Sequence, residues 1–438
     1  MNKLSKKSYI LYGLGVSYFM LDQLFVQWLN YFYLPPENST LQPILTARYL
    51  IFGFIFMRFI DSIADPIVGY MSDHNNSKFG RRSFFMIIGG IPLALSMILF
   101  YFPQGNSQLQ LLAYFSIIGA VYFIAYTLVG GPYNSLIPDL ANTKNERINL
   151  STVQSIFRLV FTAIPMILSP KLIAIFSKGS TELHGFRKTI ILFSLLSLIG
   201  VYACALFLGE REIKNKKEIS KGASFRETVK QLYNREIILY FLGFFFFFSA
   251  FNILRNVINY YVVIVMGKST SSVTLISVII FGIAAIFFPI TNKLTKIFGF
   301  KKMMISNISA IILGTIGLMV FRNNNLSIIY FFYAIIGTGI SGAAFIFPPA
   351  MLSEISTGIA NKTGISVEGL LFGIQGFFLK LAFMVQAIIS ISALIYNSKP
   401  NSLGLKSASY DGVMLSLLIA VILFILSMIF YTMKKNEI

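Results

Sequence analysis

Residues 43–72 read PILTARYLIFGFIFMRFIDSIADPIVGYMS. The run can cross a bilayer as a helix, because a span needs about 20 mostly apolar residues. It is interrupted in one respect. Arg58, Asp61 and Asp65 fall at i, i+3 and i+7, which puts all three on one helix face. A charge inside a span costs about 2.5–3.5 kcal/mol on insertion scales, so such residues face a cavity or a partner. Two carboxylates one turn apart can supply oxygen ligands to a small cation. They can also share a proton, since neighbouring like charges raise one pKa. The competing reading is an ion cluster that only holds helices together. One arginine against two acids leaves net negative charge in the cluster, which favours the cation or proton role.

The rest of the chain repeats the apolar pattern. Of 438 residues 56% are hydrophobic, 12% are charged and 44 are Phe, and mean hydropathy is +0.73. A soluble domain is about 45–50% apolar and roughly 25% charged. That excludes a soluble enzyme and a disordered chain. Twelve candidate spans are read at 9–33, 43–72, 84–103, 109–138, 151–177, 189–209, 237–266, 271–295, 302–321, 327–352, 366–396 and 411–433. Strand alternation is absent, which argues against a membrane β-barrel. The expected fold is an all-α membrane protein. Its twelve transmembrane helices form two six-helix bundles, 1–209 and 237–438, joined by a charged cytoplasmic linker, 210–236. Six-plus-six halves suit a rocker-type transporter with a substrate cavity between them.

The balance of 36 Lys+Arg against 17 Asp+Glu gives +19. If the N-terminus is inside, 23 of the basic residues fall in inner segments and nine in outer ones. Positive residues orient membrane helices in this way. Both termini are therefore expected in the cytoplasm, with the protein in the cell (inner) membrane among its lipids. A nucleic-acid partner is not expected, because apolar spans flank the basic residues. Cys204 stands alone, so no intrachain disulfide can form, and it reads as a packed thiol. The first apolar stretch is too long for a cleavable signal peptide. Gly267-Lys268-Ser269-Thr270 imitates the end of a phosphate-binding loop, but the first glycine of that motif would be Val262. His74 and His184 lie outside the apolar runs and cannot build a buried metal centre. No hydrolase signature occurs. Neither enzymatic activity nor a cofactor is expected.

Further charges inside spans are Asp22, Arg158, Arg255 and Lys380. Around Asp22 crowd Gln23, Gln27, Trp28 and Asn30, and around Arg255 stand Asn252, Asn256 and Asn259 at helical spacing. Amides, a carboxylate and an indole suit a polyol, which needs paired hydrogen bonds and a ring to stack on. Interhelical amide bonding with an interfacial Trp explains the same residues equally well. Gly130-Gly131-Pro132 is expected to interrupt and kink the fourth span, and close packing against the glycines explains the same residues equally well.

Four stretches together resemble one family. They are Arg58-Phe-Ile-Asp61-Ser-Ile-Ala-Asp65-Pro66-Ile-Val-Gly69 with Asp73 and Lys78-Phe-Gly80-Arg81-Arg82; Pro132-Tyr-Asn-Ser-Leu-Ile-Pro138 with Asn145-Glu146-Arg147; Asn259-Tyr260-Tyr261 through Gly267; and Thr363-Gly364, Glu368-Gly369 and Lys380. The family is the glycoside–pentoside–hexuronide:cation symporters (melibiose permease-like), of the major facilitator superfamily. The resemblance implies alternating access and cation-coupled uptake, commonly of sugars with Na⁺, Li⁺ or H⁺. It places the cation site on Asp61, Asp65 and Thr127, and an eleventh-helix lysine on Lys380. Asp73, Arg81 and Arg82, beside Arg58, resemble the superfamily's gating charges. The family's cation-site asparagine is Ala64 here, which leaves Na⁺ and H⁺ both open. Its fourth-helix aspartate is Gly130 and the tryptophan beyond the proline is Asn134. Its fifth-helix arginine aligns with Ser155, one turn before Arg158. Its first-helix aspartate aligns with Met20, two residues before Asp22.

The expected function is secondary, cation-coupled (Na⁺ or H⁺) symport of a sugar or glycoside by a monomer. Asp22, Gln27, Trp28, Asn134, Arg158, Arg255 and Lys380 are the candidates to line the solute site. One alternative keeps the fold but carries a lipid-like solute, with Phe244–Phe248 lining a lateral opening; a lipid-facing surface is the simpler reading of that run. A membrane receptor or scaffold is the other, and it leaves the paired acids without a purpose.

Overall fold

The computed structural model describes residues 4–73, 75, 77–140, 144–208, 234–322, 325–363 and 368–434. Their regular structure is helical, apart from one isolated bridge between Pro400 and Lys406. In chain order the helices are α1 (Lys6–Tyr33), α2 (Ala47–Asp73), α3 (Ser83–Leu99), α4 (Gln108–Leu140), α5 (Lys144–Ser177) and α6 (Glu182–Phe207). They continue as α7 (Arg235–Val265), α8 (Ser272–Phe298), α9 (Phe300–Val320), α10 (326–363), α11 (Glu368–Leu394) and α12 (Tyr410–Met433). Helices α1–α6 pack as one compact unit and α7–α12 as a second. Most of the expected linker lies outside the described residues.

Ten of these helices are long and apolar enough to cross a membrane. The other two account for the difference from the twelve expected stretches. Helix α2 is 27 residues long but carries Arg58, Asp61 and Asp65 in its apolar part. Helix α3 is strongly apolar but has 17 residues, ending earlier than the expected position 103. Its C-terminal carbonyls would otherwise lack partners. Side chains satisfy them instead: Tyr114 Oη donates to the Leu99 carbonyl (3.0 Å), Tyr33 Oη to Phe100 (2.8 Å) and Arg187 Nε to Tyr101 (2.9 Å).

Helix starts follow ordinary capping chemistry. Thr181, Asn234 and Ser409 accept from the backbone N–H of His184, Glu236 and Gly412 at the heads of α6, α7 and α12. Helix α1 tightens to a 3₁₀ turn over Gly15–Tyr18. That turn lies against α6, where Ser17 Oγ donates to the Ser197 carbonyl at 2.8 Å. A Cβ on Gly15 would stand 2.5 Å from the Tyr133 ring and 2.8 Å from Cys204 Sγ, so only glycine fits there. Cys204 is a buried free thiol, in keeping with its expected packing role.

One expectation is corrected. Helix α4 runs unbroken for 33 residues through Gly130-Gly131-Pro132. Proline removes one N–H donor, but the flanking turns sustain the helix. Part of the phenylalanine run packs inside the second unit. Phe244 and Phe247 are buried, and Phe245, Phe246 and Phe248 are half-buried. Phe246 stacks on Phe430 (5.4 Å) and Phe247 meets Phe424 (5.6 Å) edge-on, which ties α7 to α12.

An exposed apolar surface is legible on α2. Phe52, Phe56, Phe59, Ile63 and Ile67 are 43–61% exposed and form one stripe. At 100° per residue, Arg58, Asp61 and Asp65 lie on the opposite side of that helix.

Candidate functional site

The α2 charges divide between burial and access. Asp61 is buried, and its Oδ2 accepts from Arg58 Nη1 at 3.3 Å. The guanidinium of Arg58, also buried, sits 4.4 Å over the Phe123 ring of α4. A desolvated cation gains from the ring's negative face, so Phe123 helps hold Arg58 beside Asp61. Asp65 is exposed although it lies away from that apolar stripe. Its Oδ1 accepts from Thr127 Oγ1 of α4 at 3.0 Å. Thus α2 and α4 bring together Asp61, Asp65, Thr127 and Arg58. Two carboxylates and a hydroxyl provide the hard oxygen donors that a small cation takes. The same carboxylates can instead take up a proton.

Thr127 lies seven residues before Asn134, so both fall on one face of α4 about 10 Å apart. Gly131 lies between them with open space around its Cβ position. Asn134 is exposed, and its Oδ1 accepts from Gln154 Nε2 of α5 at 2.7 Å. One turn along α5, Arg158 is exposed and lies 5.0 Å from the Phe19 ring. Tyr18 lies near both Arg158 and Asn134. Asp22 follows one turn after Tyr18 on α1, and its Oδ2 accepts from Gln23 Nε2 at 3.1 Å. Polar groups from α1, α4 and α5 therefore converge beside Tyr18.

Other candidates fall elsewhere. Trp28 is fully buried; its Nε1 donates to Ser169 Oγ at 2.7 Å, and its ring meets Tyr31 and Phe186 edge-on. The indole is used in packing and has no open face for a sugar. Gln27 is buried, with Nε2 directed to the Met166 carbonyl at 3.4 Å. In the second unit, Arg255 lies 5.6 Å from the Phe251 ring, and the buried Asn256 accepts from Ser390 Oγ at 3.0 Å. Lys380 is half-buried on α11. Arg82 is buried and donates to Ser72 Oγ at 2.6 Å, while the Arg81 carbonyl accepts from Asn75. The side chains of Asp73, Arg147 and Glu368 lie outside the described residues.

The sequence reading passes over Tyr18, Phe123 and Gln154. Tyrosine and phenylalanine are common in every span, so type alone gives no signal. Their spacing does: Tyr18 precedes Asp22 by one turn, Gln154 precedes Arg158 by one turn, and Phe123 precedes Thr127 by one turn.

A helical bundle whose charges collect on the inward side of α2 defines a membrane carrier. The model of the MFS/sugar transport protein family matches residues 11–435, and the chain belongs to that family of transporters. It is 24% identical to the uncharacterized symporter YnaJ of Bacillus subtilis (strain 168), over 77% of this chain and 72% of that protein. It is 24% identical to the isoprimeverose transporter of Lactiplantibacillus pentosus, over 41% of this chain and 37% of that protein. The crystal structure of a D-xylose-proton symporter superposes with a TM-score of 0.68 and 16% identity, covering 99% of this chain and 98% of that one. At that identity the likeness shows the shared all-helical fold.

Proposed function

We propose that the protein is a cation-coupled symporter of a sugar or glycoside, working by alternating access with Na⁺ or H⁺ as the driving ion. All twelve helices cross the membrane in this reading, α2 and α3 included, with both termini in the cytoplasm. The observation that carries it is the paired acids of α2, linked to α4 through the bond from Thr127 to Asp65. Asp61, Asp65 and Thr127 bind the cation. Asp22, Asn134 and Arg158 bind the solute on the first unit, and Arg255 and Lys380 are the polar candidates of the second. Helix α4 carries both Thr127 and Asn134, so a shift of that helix on cation binding reaches the solute side directly. Coupling requires no more than this: a cation that binds one state better shifts the equilibrium by its differential affinity. The relatives' names point to the solute class, isoprimeverose and D-xylose being sugars.

The test is uptake into proteoliposomes holding the purified protein. Labelled isoprimeverose, lactose and D-xylose are offered under an imposed Na⁺ gradient, an imposed H⁺ gradient, or neither. Accumulation of at least one sugar above its outside concentration, under one gradient and abolished by an ionophore, is the expected result. Equal, gradient-independent entry of every sugar, or no entry, overturns the reading.

A further inference from the structure

We propose that the turn between α8 and α9 binds the headgroup of an anionic phospholipid through Lys293, Lys296, Lys301 and Lys302, with the acyl chains along the exposed isoleucines of α8. The inference rests on the symporter reading only for its sidedness, which puts this turn at the cytoplasmic face. Its contacts all lie within the second unit.

Charge is the first support. From Ile237 to Ser353 the chain has no Asp or Glu. The four lysines fall inside that stretch, in the last two turns of α8 and the first turn of α9. Lys293, Lys296 and Lys302 are exposed and Lys301 is half-buried. Among the described residues none of the four has a carboxylate within ion-pair distance. Lys301 is fixed in place, because its ammonium donates to the Lys434 carbonyl at the end of α12. That carbonyl takes one of three N–H groups and cancels none of the charge.

Helix geometry adds to the same charge. Helix α9 starts after Gly299, whose φ of +79° turns the chain. No side chain caps the first turn of α9, and no acid lies in it. Its free N–H groups and the positive end of the helix dipole stand beside Lys301 and Lys302, where cations are least favoured. An anion relieves both. Gly299 is exposed with open space around its Cβ position, so a headgroup has room.

Shape identifies the anion. Ile286, Ile290 and Ile297 are 61%, 43% and 64% exposed and lie on one side of α8 together with Lys293. An apolar stripe that ends in lysines matches a phospholipid better than a free ion. The chains lie along the stripe, the phosphate sits at the turn, and the lysine stems cover the boundary between them. Basic clusters at cytoplasmic helix ends attract anionic lipid. The simpler reading is that these lysines only orient the hairpin during insertion. It predicts no headgroup preference in the folded protein.

The test is lipid binding to the purified full-length protein in detergent, followed by native mass spectrometry. Phosphatidylglycerol and phosphatidylcholine with the same chains are titrated separately. Phosphatidylglycerol is expected to bind at least ten-fold more tightly. Lys293→Gln/Lys296→Gln/Lys302→Gln alters exposed side chains only. It is expected to weaken phosphatidylglycerol binding by ten-fold or more, since a lysine near an anionic surface contributes about five-fold. Phosphatidylcholine binding is expected to stay within about two-fold. Should the combined variant not fold, Lys302→Gln alone carries the same test at about five-fold. Lys178→Gln/Lys188→Gln, at exposed lysines of the first unit, is the control and is expected to leave phosphatidylglycerol affinity within about two-fold. Equal affinity for the two lipids, or equal losses in the variant and the control, overturns the proposal. Inorganic phosphate bound as tightly as phosphatidylglycerol also overturns it, because the apolar stripe then contributes nothing. If the natural protein accumulates no sugar, the symporter reading falls, and the lipid titrations still decide this site.

Discussion

Asp61 and Asp65 stand one turn apart, yet their surroundings give them different work. Asp61 is buried against Arg58, and removing its charge takes a carboxylate from beside a buried guanidinium. Breaking such a pair costs about 3–5 kcal/mol. Asp65 is exposed, and an amide oxygen in its place still accepts from Thr127. Asp61→Asn is therefore expected to lower Tm sharply and to lose transport and expression together. Asp65→Asn is expected to keep Tm close to the natural protein's, to lose accumulation driven by the cation gradient, and to retain solute binding. Thermal melts, gradient-driven uptake and equilibrium binding with and without Na⁺ separate the two. A well-folded Asp65→Asn protein that still accumulates solute removes this aspartate from the cation site. The paired acids themselves were readable from spacing alone. Their division of labour was not, because burial depends on what α4 places beside each of them.

At the scale of the element, α1 serves two purposes along its length. Its middle, around Tyr18 and Asp22, carries polar groups, while its C-terminal half is locked into the first unit. Trp28 is the lock: its N–H satisfies Ser169 of α5 and its ring fills the space toward Phe186 of α6. Trp28→Ala is expected to destabilise by about 3–5 kcal/mol, as truncating a buried aromatic does. Trp28→Phe loses mainly the hydrogen bond, about 1 kcal/mol. Both variants, once folded, are expected to keep the solute KM, measured by uptake beside the melt. A large KM rise in a stable Trp28→Phe protein would return the indole to the solute site. An indole among amides reads the same in sequence whether it stacks on a sugar or packs between helices. The choice was made by Phe186 and Ser169, more than 140 positions further along the chain.

For the whole molecule, the predicted arrangement is twelve crossings with both ends in the cytoplasm. A reporter fused after Ile438 and a tag placed within residues 210–236 are expected on the cytoplasmic side of intact cells. Finding them on opposite sides of the membrane would break the six-plus-six plan. Sequence alone determined the helical class, the approximate limits of the helices, the carrier family and the acids of α2. These follow from hydropathy, from charge placed where hydrocarbon should be, and from short motifs, all of which are local along the chain. Tertiary structure decided the rest. It showed that Gly130-Gly131-Pro132 leaves α4 unbroken, that the phenylalanines of α7 pack against α12, and that Trp28 belongs to the core. It also linked Phe19, Asn134, Gln154 and Arg158 across three helices. Spacing shows which residues share a face of one helix. Which face meets which neighbour is set by side-chain volumes that fit only when distant segments of the chain are packed together.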